Sequence, residues 1–333
     1  ASVVAAGAML LVLYIEPYSW MAIRAVMGFC FSGLFTAIES WLGAISSSEN
    51  RGRVFSIYSL VDVAAVTGSQ FLLPALGVGG FVAFAVMSML IGLSLVPIAL
   101  APTAPPEHQA IGQFNPIEAL KVSPLAFITC FTVGLTSSAL KTMGPLYASG
   151  IGLGITELAF FMGAAILGGA VLQLPFGWAS DHFDRRKVTM VATAGAGIAG
   201  LVLSMLTGAE PNYVYAGVFL FGAFANPLYS LAAAHANDFA KAGQIAQVSA
   251  GLLLTYAVGA MIGPLLASVI IQTLGPPAFF AYTGLVHLSL LVFGIVRTLA
   301  RPTVPKSERV KHVPAIKTNP SLFGGEQQVA ATA

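Results

Sequence analysis

The chain has 333 residues, of which 57% are hydrophobic and 8% charged, and its formal net charge is +2. Soluble domains carry about 25% charged residues, so the composition excludes an ordinary soluble fold. It predicts an all-helical, polytopic protein whose main partner is the lipid bilayer. The small net charge, with no basic stripe interleaved with aromatic residues, argues against a nucleic-acid partner.

Ten stretches of the chain are predicted to cross the bilayer, because each offers the run of about 20 mostly apolar residues that a spanning helix needs. Two long uncharged runs are each divided where Gly and Pro interrupt them, at 74–80 and at 275–277. The first span is short. The predicted spans are 1–15, 18–44, 54–76, 79–101, 123–149, 154–177, 188–208, 212–236, 247–273 and 277–299.

The most highly charged turn lies after the sixth predicted span, where Asp181, Asp184, Arg185, Arg186 and Lys187 fall within seven residues. Basic turns between spans are cytoplasmic. If this turn is placed inside and the spans alternate, thirteen of the fifteen Lys and Arg residues lie in or beside cytoplasmic segments. The pattern predicts an inner (plasma) membrane protein with both termini of this chain in the cytoplasm.

The stretch 102–122 is the longest predicted internal loop and separates four spans from six. We therefore predict a partial N-terminal bundle over 1–101, a cytoplasmic central loop over 102–122 and a C-terminal six-helix bundle over 123–299. Within the loop, 116–121 is suited to a short interfacial helix. The basic tail, 300–333, is expected to be a disordered cytoplasmic extension.

The charged turn resembles a known signature. Gly177-x-x-x-Asp181 followed by Arg185-Arg186 is similar to the signature of the major facilitator superfamily, although His182 and Asp184 depart from it. The resemblance implies a transporter architecture of twelve helices in two six-helix halves. The six spans after the central loop then resemble helices seven to twelve.

The first four spans resemble helices three to six of that superfamily. Arg24-x-x-x-Gly28 is similar to its helix-four motif, and Glu39-Ser40-Trp41-Leu42 with Arg51-Gly52-Arg53 resembles a bacterial branch of mostly unassigned substrates. On this alignment, helices one and two are expected to be missing from the chain.

Ionisable groups inside spans are costly, so each one is a candidate for function. Arg24 shares one predicted helix face with Gly28, Phe31, Phe35 and Glu39, because they follow at steps of three or four. That face is predicted to line a central cavity. The alternative is that Arg24 only neutralises an acid or a carbonyl of a neighbouring helix.

Two carboxylates toward the cytoplasmic half, Glu39 and Asp62, are candidates for proton coupling, since a desolvated carboxyl takes up a proton more readily. A structural pair with Arg51 or Arg53 explains Glu39 equally well. Asp62 has no basic neighbour in sequence and is the favoured protonation site.

Lys141 is a candidate for binding an anionic substrate group, by its position on the equivalent of helix seven. Snorkelling of the ammonium to the outer headgroups is the alternative. Four polar residues are candidates for hydrogen bonds to substrate, or equally for bonds between helices: Gln70, Gln173, Asn226 and Tyr229. His235 and His287 are predicted to be structural. Cys30 and Cys130 are expected to be buried thiols, with a disulfide as the alternative.

The turn 177–187 predicts a gate rather than a catalytic site. Asp181 can form charge-assisted bonds with Arg185 or Arg186 that lock the inner helix ends, with Gly177 at the start of the motif. The alternative role is that of a topology anchor. Gly195-x-Gly197-x-x-Gly200 matches a dinucleotide fingerprint but lies inside a span, so close helix packing is expected there.

Taken together, these features predict no enzyme, catalytic residue, metal or cofactor. They favour a monomeric secondary active transporter that moves a small-molecule substrate by alternating access. Proton coupling is a hypothesis that depends on Glu39 and Asp62. The alternative is a non-transporting membrane sensor or partner protein, or an inactive truncated transporter.

Overall fold

The computed structural model describes residues 1–46, 51–77, 80–100, 116–206, 208–240 and 244–300. In these ranges the regular structure is α-helical throughout. The helices are α1 (Ser2–Leu13), α2 (Pro17–Ile45), α3 (Arg51–Leu76), α4 (Val82–Leu93), α5 (Leu95–Leu100), α6 (Pro116–Val122), α7 (Pro124–Gly150), α8 (Ile155–His182), α9 (Arg185–Met205), α10 (Pro211–Ala225), α11 (Leu228–Asn237), α12 (Ile245–Leu274) and α13 (Ala278–Ala300).

Eight helical segments in the described part of the chain are long and apolar enough to cross a membrane, and two shorter apolar helices, Ser2–Leu13 and Val82–Pro97, accompany them. These ten segments match the ten predicted spans in position, so the all-α polytopic class is confirmed. The fourth span is interrupted at Ser94, between α4 and α5. Pro97 explains the interruption, because it has no N–H to donate to the carbonyl of the previous turn.

The eighth span, Pro211–Asn237, also contains a break. Its two helices, α10 and α11, meet at Asn226 and Pro227, both of which keep right-handed helical backbone angles. Pro227 has no backbone N–H and cannot donate the hydrogen bond that would continue the helix. The helical hydrogen bonding is therefore interrupted, although the backbone angles stay helical. The break sets Asn226 at the point where the α10 ladder ends.

By their contacts the described helices form two compact units, one made of 1–55 with 72–110 and the other of 56–71 with 111–333. In the first unit, α1 packs on α2 and α4. Its core contains Val4, Ala8 and Leu11 of α1 with Met27 of α2. The indole Nε1 of Trp20 donates to the carbonyl of Leu11 at 2.9 Å, which ties α2 to the end of α1.

The second unit is built on three helix pairs in close contact: α7 with α12, α8 with α10, and α9 with α13. Glycines permit each approach. A methyl group at Gly263 would collide with the carbonyl oxygen of Leu135, and one at Gly222 with that of Ala165. At Gly200 it would come within 2.9 Å of Gly284. Small residues of this kind let membrane helices pack backbone to backbone.

The dinucleotide-like motif is accounted for by these contacts. Gly197 and Gly200 face Leu288 and Gly284 of α13, and Gly195 lies against the Phe224 ring of α10. Close helix packing, which we expected for this motif, is therefore confirmed. Two clusters of buried residues fill the second unit, and the aromatic one contains Tyr147, Phe161, Phe279 and Phe280.

Part of the predicted central loop is helical, since α6 covers Pro116–Val122 where we predicted a helix over 116–121. The preceding residues, 101–115, and the tail from 301 onward lie outside the described residues. The predicted disordered tail therefore stays a prediction. So does the division into a four-span and a six-span bundle, which is distinct from the contact-based units.

Candidate functional site

The charged turn of the second unit is a tight connection between two spans. α8 ends at His182 and α9 begins at Arg185. Asp184 caps α9, because its carboxylate accepts a hydrogen bond from the backbone N–H of Arg186 at 3.0 Å. A carboxylate at this position also interacts favourably with the positive end of the helix dipole. Asp184 thus stands at the turn as a helix N-cap.

The turn carries a buried ion-pair network. Arg185, whose side chain is 2% exposed, contacts Asp181 Oδ1 through Nη2 at 3.2 Å and Asp238 Oδ2 through Nε at 3.0 Å. Arg186 pairs with Asp184 at 3.3 Å. Because Asp181 belongs to α8, Arg185 to α9 and Asp238 follows α11, one guanidinium joins the ends of three helices.

Asp238 was not among the residues predicted from the sequence. Its side chain is only 4% exposed, although it lies in the predicted cytoplasmic segment 237–246. The sequence feature that could have identified Asp238 is that it is an acidic residue in a segment expected to be basic. Asp238 lies just beyond the end of a span, on the same predicted side as Asp181 and Arg185. Since buried charges need partners, Asp238 was a candidate for their ion-pair network.

A set of polar residues lies between helices within the spans. The Nε2 of Gln173 donates to Ser230 Oγ at 3.0 Å, and the Nδ2 of Asn226 donates to the carbonyl of Ala165 at 3.4 Å. Tyr229 is buried, with its ring 5.5 Å from that of Tyr256. Gln173 and Asn226 therefore form the interhelical bonds named as the alternative to substrate binding.

The position of Asn226 depends on a glycine. A methyl group at Gly169 of α8 would collide with the amide of Asn226. The Asn side chain therefore fills the space that Gly169 leaves, at the break between α10 and α11. Together Gln173, Asn226, Tyr229 and Ser230 form what we call the polar cluster.

Lys141 and Asp62 are both exposed residues of the second unit. The ammonium of Lys141 is near enough to act electrostatically on the carboxyl of Asp62 and on the hydroxyl of Tyr256. Asp62 lies on α3, which packs on α8 through Phe71 and Phe160, with ring centroids 5.1 Å apart. Two residues that were predicted separately are thus coupled electrostatically. Gln70 bonds to Val66 of its own helix at 3.3 Å.

The predicted stripe on α2 belongs to the first unit, and its residues are exposed at one end and buried at the other. Arg24 and Gly28 are exposed, Phe31 stacks on Phe35 with centroids 6.4 Å apart, and Glu39 is fully buried. The five residues follow one another along α2 at helical spacing, as predicted. That the stripe lines a transport cavity stays a prediction.

The histidines and cysteines occupy the places expected of structural residues. His287 is fully buried, with Nδ1 2.8 Å from the carbonyl of Thr283. His235 packs edge-on against Phe239, with ring centroids 5.1 Å apart. Cys30 and Cys130 are free cysteines, partly buried and buried respectively.

Comparisons with known proteins agree with this architecture. The profile of the Major Facilitator Superfamily matches residues 1–172 and, in a second placement, residues 127–329. An uncharacterized MFS-type transporter of Enterobacter sp. is 24% identical over 301 residues, which cover 90% of this chain and 78% of the relative.

Two further relatives have similar coverage. The uncharacterized MFS-type transporter YfkF of Bacillus subtilis is 23% identical over 291 residues, 85% of this chain and 73% of its own length. YcaD of Escherichia fergusonii, with the same description, is 25% identical over 272 residues, 81% and 70% respectively. The match of the family profile along nearly the whole chain decides the assignment: this multi-pass membrane protein belongs to the Major Facilitator Superfamily.

Proposed function

We propose that this chain is a secondary active transporter that moves a small solute across a bacterial inner membrane by alternating access. In this proposal the protein acts as a monomer, and both termini of the chain face the cytoplasm. The observation that carries the proposal is the buried contact of Arg185 with Asp181 and Asp238. It ties the inner ends of three helices through ion pairs of one arginine, one of which is also a hydrogen bond, and contacts of this kind can break and re-form as a reversible latch.

This latch can be closed or open, because the free energy of its three charges depends on whether water reaches them. When the helix ends are together, Arg185 is buried between two carboxylates; when they separate, water solvates all three charges. Removing charges from water costs several kcal/mol per ion and is offset by their mutual attraction. The two arrangements can therefore differ by only a few kcal/mol, a gap that a bound solute is able to reverse.

The polar cluster supports the proposed binding region. Transporters of this kind bind their solutes in the interior of the bilayer, between helix bundles. Gln173 and Ser230 offer hydrogen-bonding groups there, and Lys141 offers a positive charge on the same helical unit. Solute bonds would replace the present interhelical bonds, so little polar surface would be left unsatisfied in either state.

The proposal includes proton coupling, which depends on the carboxyl groups of Asp62 and Glu39. Asp62 lies within reach of the charge of Lys141, so the protonation state of Asp62 and the availability of the Lys141 ammonium are linked. Protonation of Asp62 would release Lys141 toward an anionic group. Glu39, buried on α2, is the second candidate.

Solute flux is the direct test. The purified chain is reconstituted into liposomes, and uptake of radiolabelled amino acids, sugars and organic anions is measured with an imposed pH gradient and after a protonophore collapses it. We expect gradient-driven uptake of at least one solute, lost on collapse and in Asp62→Asn. Flux that is indifferent to the gradient would remove proton coupling. An absence of flux would favour the non-transporting alternative.

Access from both sides is tested separately from the identity of the solute. In a Cys30→Ser, Cys130→Ala background, Lys141→Cys is exposed to a membrane-impermeant maleimide in right-side-out and inside-out vesicles. We expect labelling from both sides and severalfold faster labelling from the cytoplasmic side when Asp238→Asn opens the latch. Ser289→Cys, an exposed position on α13, is the control for reagent that enters the lipid. Labelling from one side alone contradicts alternating access.

A further inference from the structure

A second feature of the inner end is a pocket that the proposed transport cycle does not use. It lies where four helices of the second unit begin or end: the start of α7, the start of α9, the end of α11 and the end of α13. Its described lining consists of Ser123, Pro124, Leu125, Arg186, His235, Phe239 and Arg297.

The polar lining of this inner pocket is basic. Two arginines and a histidine line it, and neither Asp nor Glu is among the described residues of its wall. Arg186 is 7% exposed and is held by Asp184, with Nη2 to Oδ2 at 3.3 Å. Its guanidinium is therefore fixed at the pocket wall before any ligand arrives.

Arg297 supplies positive charge that the described part of the chain does not neutralise. No carboxylate of a described residue lies within 4.0 Å of its guanidinium, whereas both Arg185 and Arg186 have such partners. Arg297 lies in the last turn of α13, whose carbonyls offset only part of its positive charge. Its guanidinium can therefore attract an anion at the pocket.

The start of α7 adds to the positive potential. Ser123 caps this helix of 27 residues, and its Oγ accepts from the N–H of Ala126 at 3.3 Å. The N-terminal end of a helix carries roughly half a positive charge. The ends of α11 and α13, which also border the pocket, carry the opposite partial charge. The helix termini therefore largely offset one another, and the two arginines are the principal source of positive potential.

The shape of the pocket restricts the ligand. Its free volume is about 20 Å³, more than the roughly 10–15 Å³ that a single water requires, and it is open on one side. Oxygens of an oxyanion can enter while the remainder of the ligand stays at the mouth. Leu125 and Phe239 give the wall an apolar portion, so the ligand can carry an apolar or glycerol part beside its charge.

We propose that this inner pocket is a binding site for a phosphate group, with Arg186 and Arg297 as its principal ligands. Guanidinium groups match phosphate oxygens with paired hydrogen bonds. The phosphate comes from an anionic phospholipid of the inner leaflet or from a soluble phosphate in the cytoplasm. The choice of leaflet rests on the orientation proposed above, whereas the binding chemistry does not.

The test measures binding and is independent of solute flux. The delipidated protein is titrated with phosphatidylglycerol, and in parallel with phosphatidylcholine, by native mass spectrometry; inorganic phosphate is titrated by calorimetry on protein in phosphatidylcholine nanodiscs. Arg297→Gln removes charge-assisted hydrogen-bond donors from the site, so it is expected to weaken binding of the preferred ligand about tenfold or more.

Lys187→Gln is the matched control, because Lys187 is an exposed basic residue of the same turn that does not line the pocket. We expect it to change affinity less than twofold. Arg297→Lys keeps the charge and loses the paired geometry, so it should fall between wild type and Arg297→Gln. Size-exclusion profiles of all variants establish that each is folded.

The outcomes separate the two sources. Selective binding of phosphatidylglycerol without calorimetric heat from phosphate identifies a lipid headgroup site, and the reverse result identifies a soluble ligand. Equal weakening by Arg297→Gln and Lys187→Gln would mean general attraction to a basic rim and would overturn the proposal. So would equal affinity for the two lipids together with no binding of inorganic phosphate.

Discussion

The two units of the chain bury their apolar helices to different degrees, and the helix of the first unit compared here is the more apolar one. In the most apolar window of Pro17–Glu39, in the first unit, 6% of residues are buried, whereas the windows of Pro124–Gly150 and Pro211–Asn237, in the second, reach 67% and 72%. Hydropathy alone does not explain this difference. Lipid tails are as apolar as leucine, so apolar surface by itself does not decide which helix faces meet.

Glycine contacts account for much of the difference. In the second unit, Gly168 and Gly222 lie against the backbone of the partner helix, where a methyl group has no room. In the first unit, Gly28, Gly33 and Gly92 have no described heavy atom within 4 Å of the methyl position. Gly7 of the first unit does have a close neighbour, but it is the flexible side chain of Met27 rather than a backbone. Among these described glycines, contact with the backbone of a partner helix is found in the second unit.

The largest expected effect comes from filling a close backbone contact. Gly222→Val places a branched side chain against the carbonyl of Ala165, which no rotamer change relieves. Overpacking of this kind costs about 1–3 kcal/mol and occasionally more, and the backbone clash puts this site at the upper end. We expect most of the protein to be lost from the monodisperse peak of a fluorescence-detected size-exclusion profile.

Gly28→Val is the matched comparison, since it makes the same change where space is open. A profile close to wild type is expected for it. Equal loss for the two variants would contradict the assignment of close packing to the second unit.

The next effect concerns the charges at the turn between α8 and α9. Asp238→Asn removes one carboxylate from Arg185 and leaves Asp181, 3.2 Å away, as its remaining partner. Breaking a buried pair costs about 3–5 kcal/mol. Because one partner remains, we expect a loss of about 2 kcal/mol, seen as a lower melting temperature in detergent.

Lys187→Gln removes an exposed charge from the same turn and is expected to leave the melting temperature nearly unchanged. Partial recovery in Arg185→Gln/Asp238→Asn, relative to Asp238→Asn alone, would identify the incompletely neutralised charge of the buried Arg185 as the cause. If Asp238→Asn melts like wild type, the network does not hold the helix ends.

A smaller effect is expected in the polar cluster. Hydrogen bonds between membrane helices average about 0.6 kcal/mol in double-mutant cycles. Gln173→Ala, Ser230→Ala and the double variant should give a coupling energy of that order for the 3.0 Å bond. Additive effects would show that this contact contributes nothing to stability and is available to a solute at no cost.

The smallest effect is expected on α2. Gly33 has open space at its methyl position, and alanine favours a helix over glycine by up to about 1 kcal/mol. In a bilayer that already favours helices, Gly33→Ala should raise stability by less than about 0.5 kcal/mol. A clear loss of stability would show that this face of α2 has a close partner.

The sequence predicted several features because they depend on local rules. Runs of apolar residues located the spans, and Pro227 and Pro97 account for breaks that the run lengths alone did not reveal. The Gly195 motif was assigned to packing because no strand precedes it. Asp181 and Arg185 were predicted as a pair since they stand one helical turn apart, whereas Asp238 was missed because its partner lies 53 positions earlier.

The sequence by itself determined the class of protein, the positions of its apolar helices and the family signature, since scarcity of charge and length of apolar runs are local properties set by the bilayer. Only the tertiary structure decided which charges are neutralised, which glycines touch a neighbour, and that Arg186 and Arg297 face one pocket. Those outcomes depend on contacts between residues far apart in the chain. A hydrophobic pattern does not predict such contacts, because every apolar face of a helix is stable against lipid.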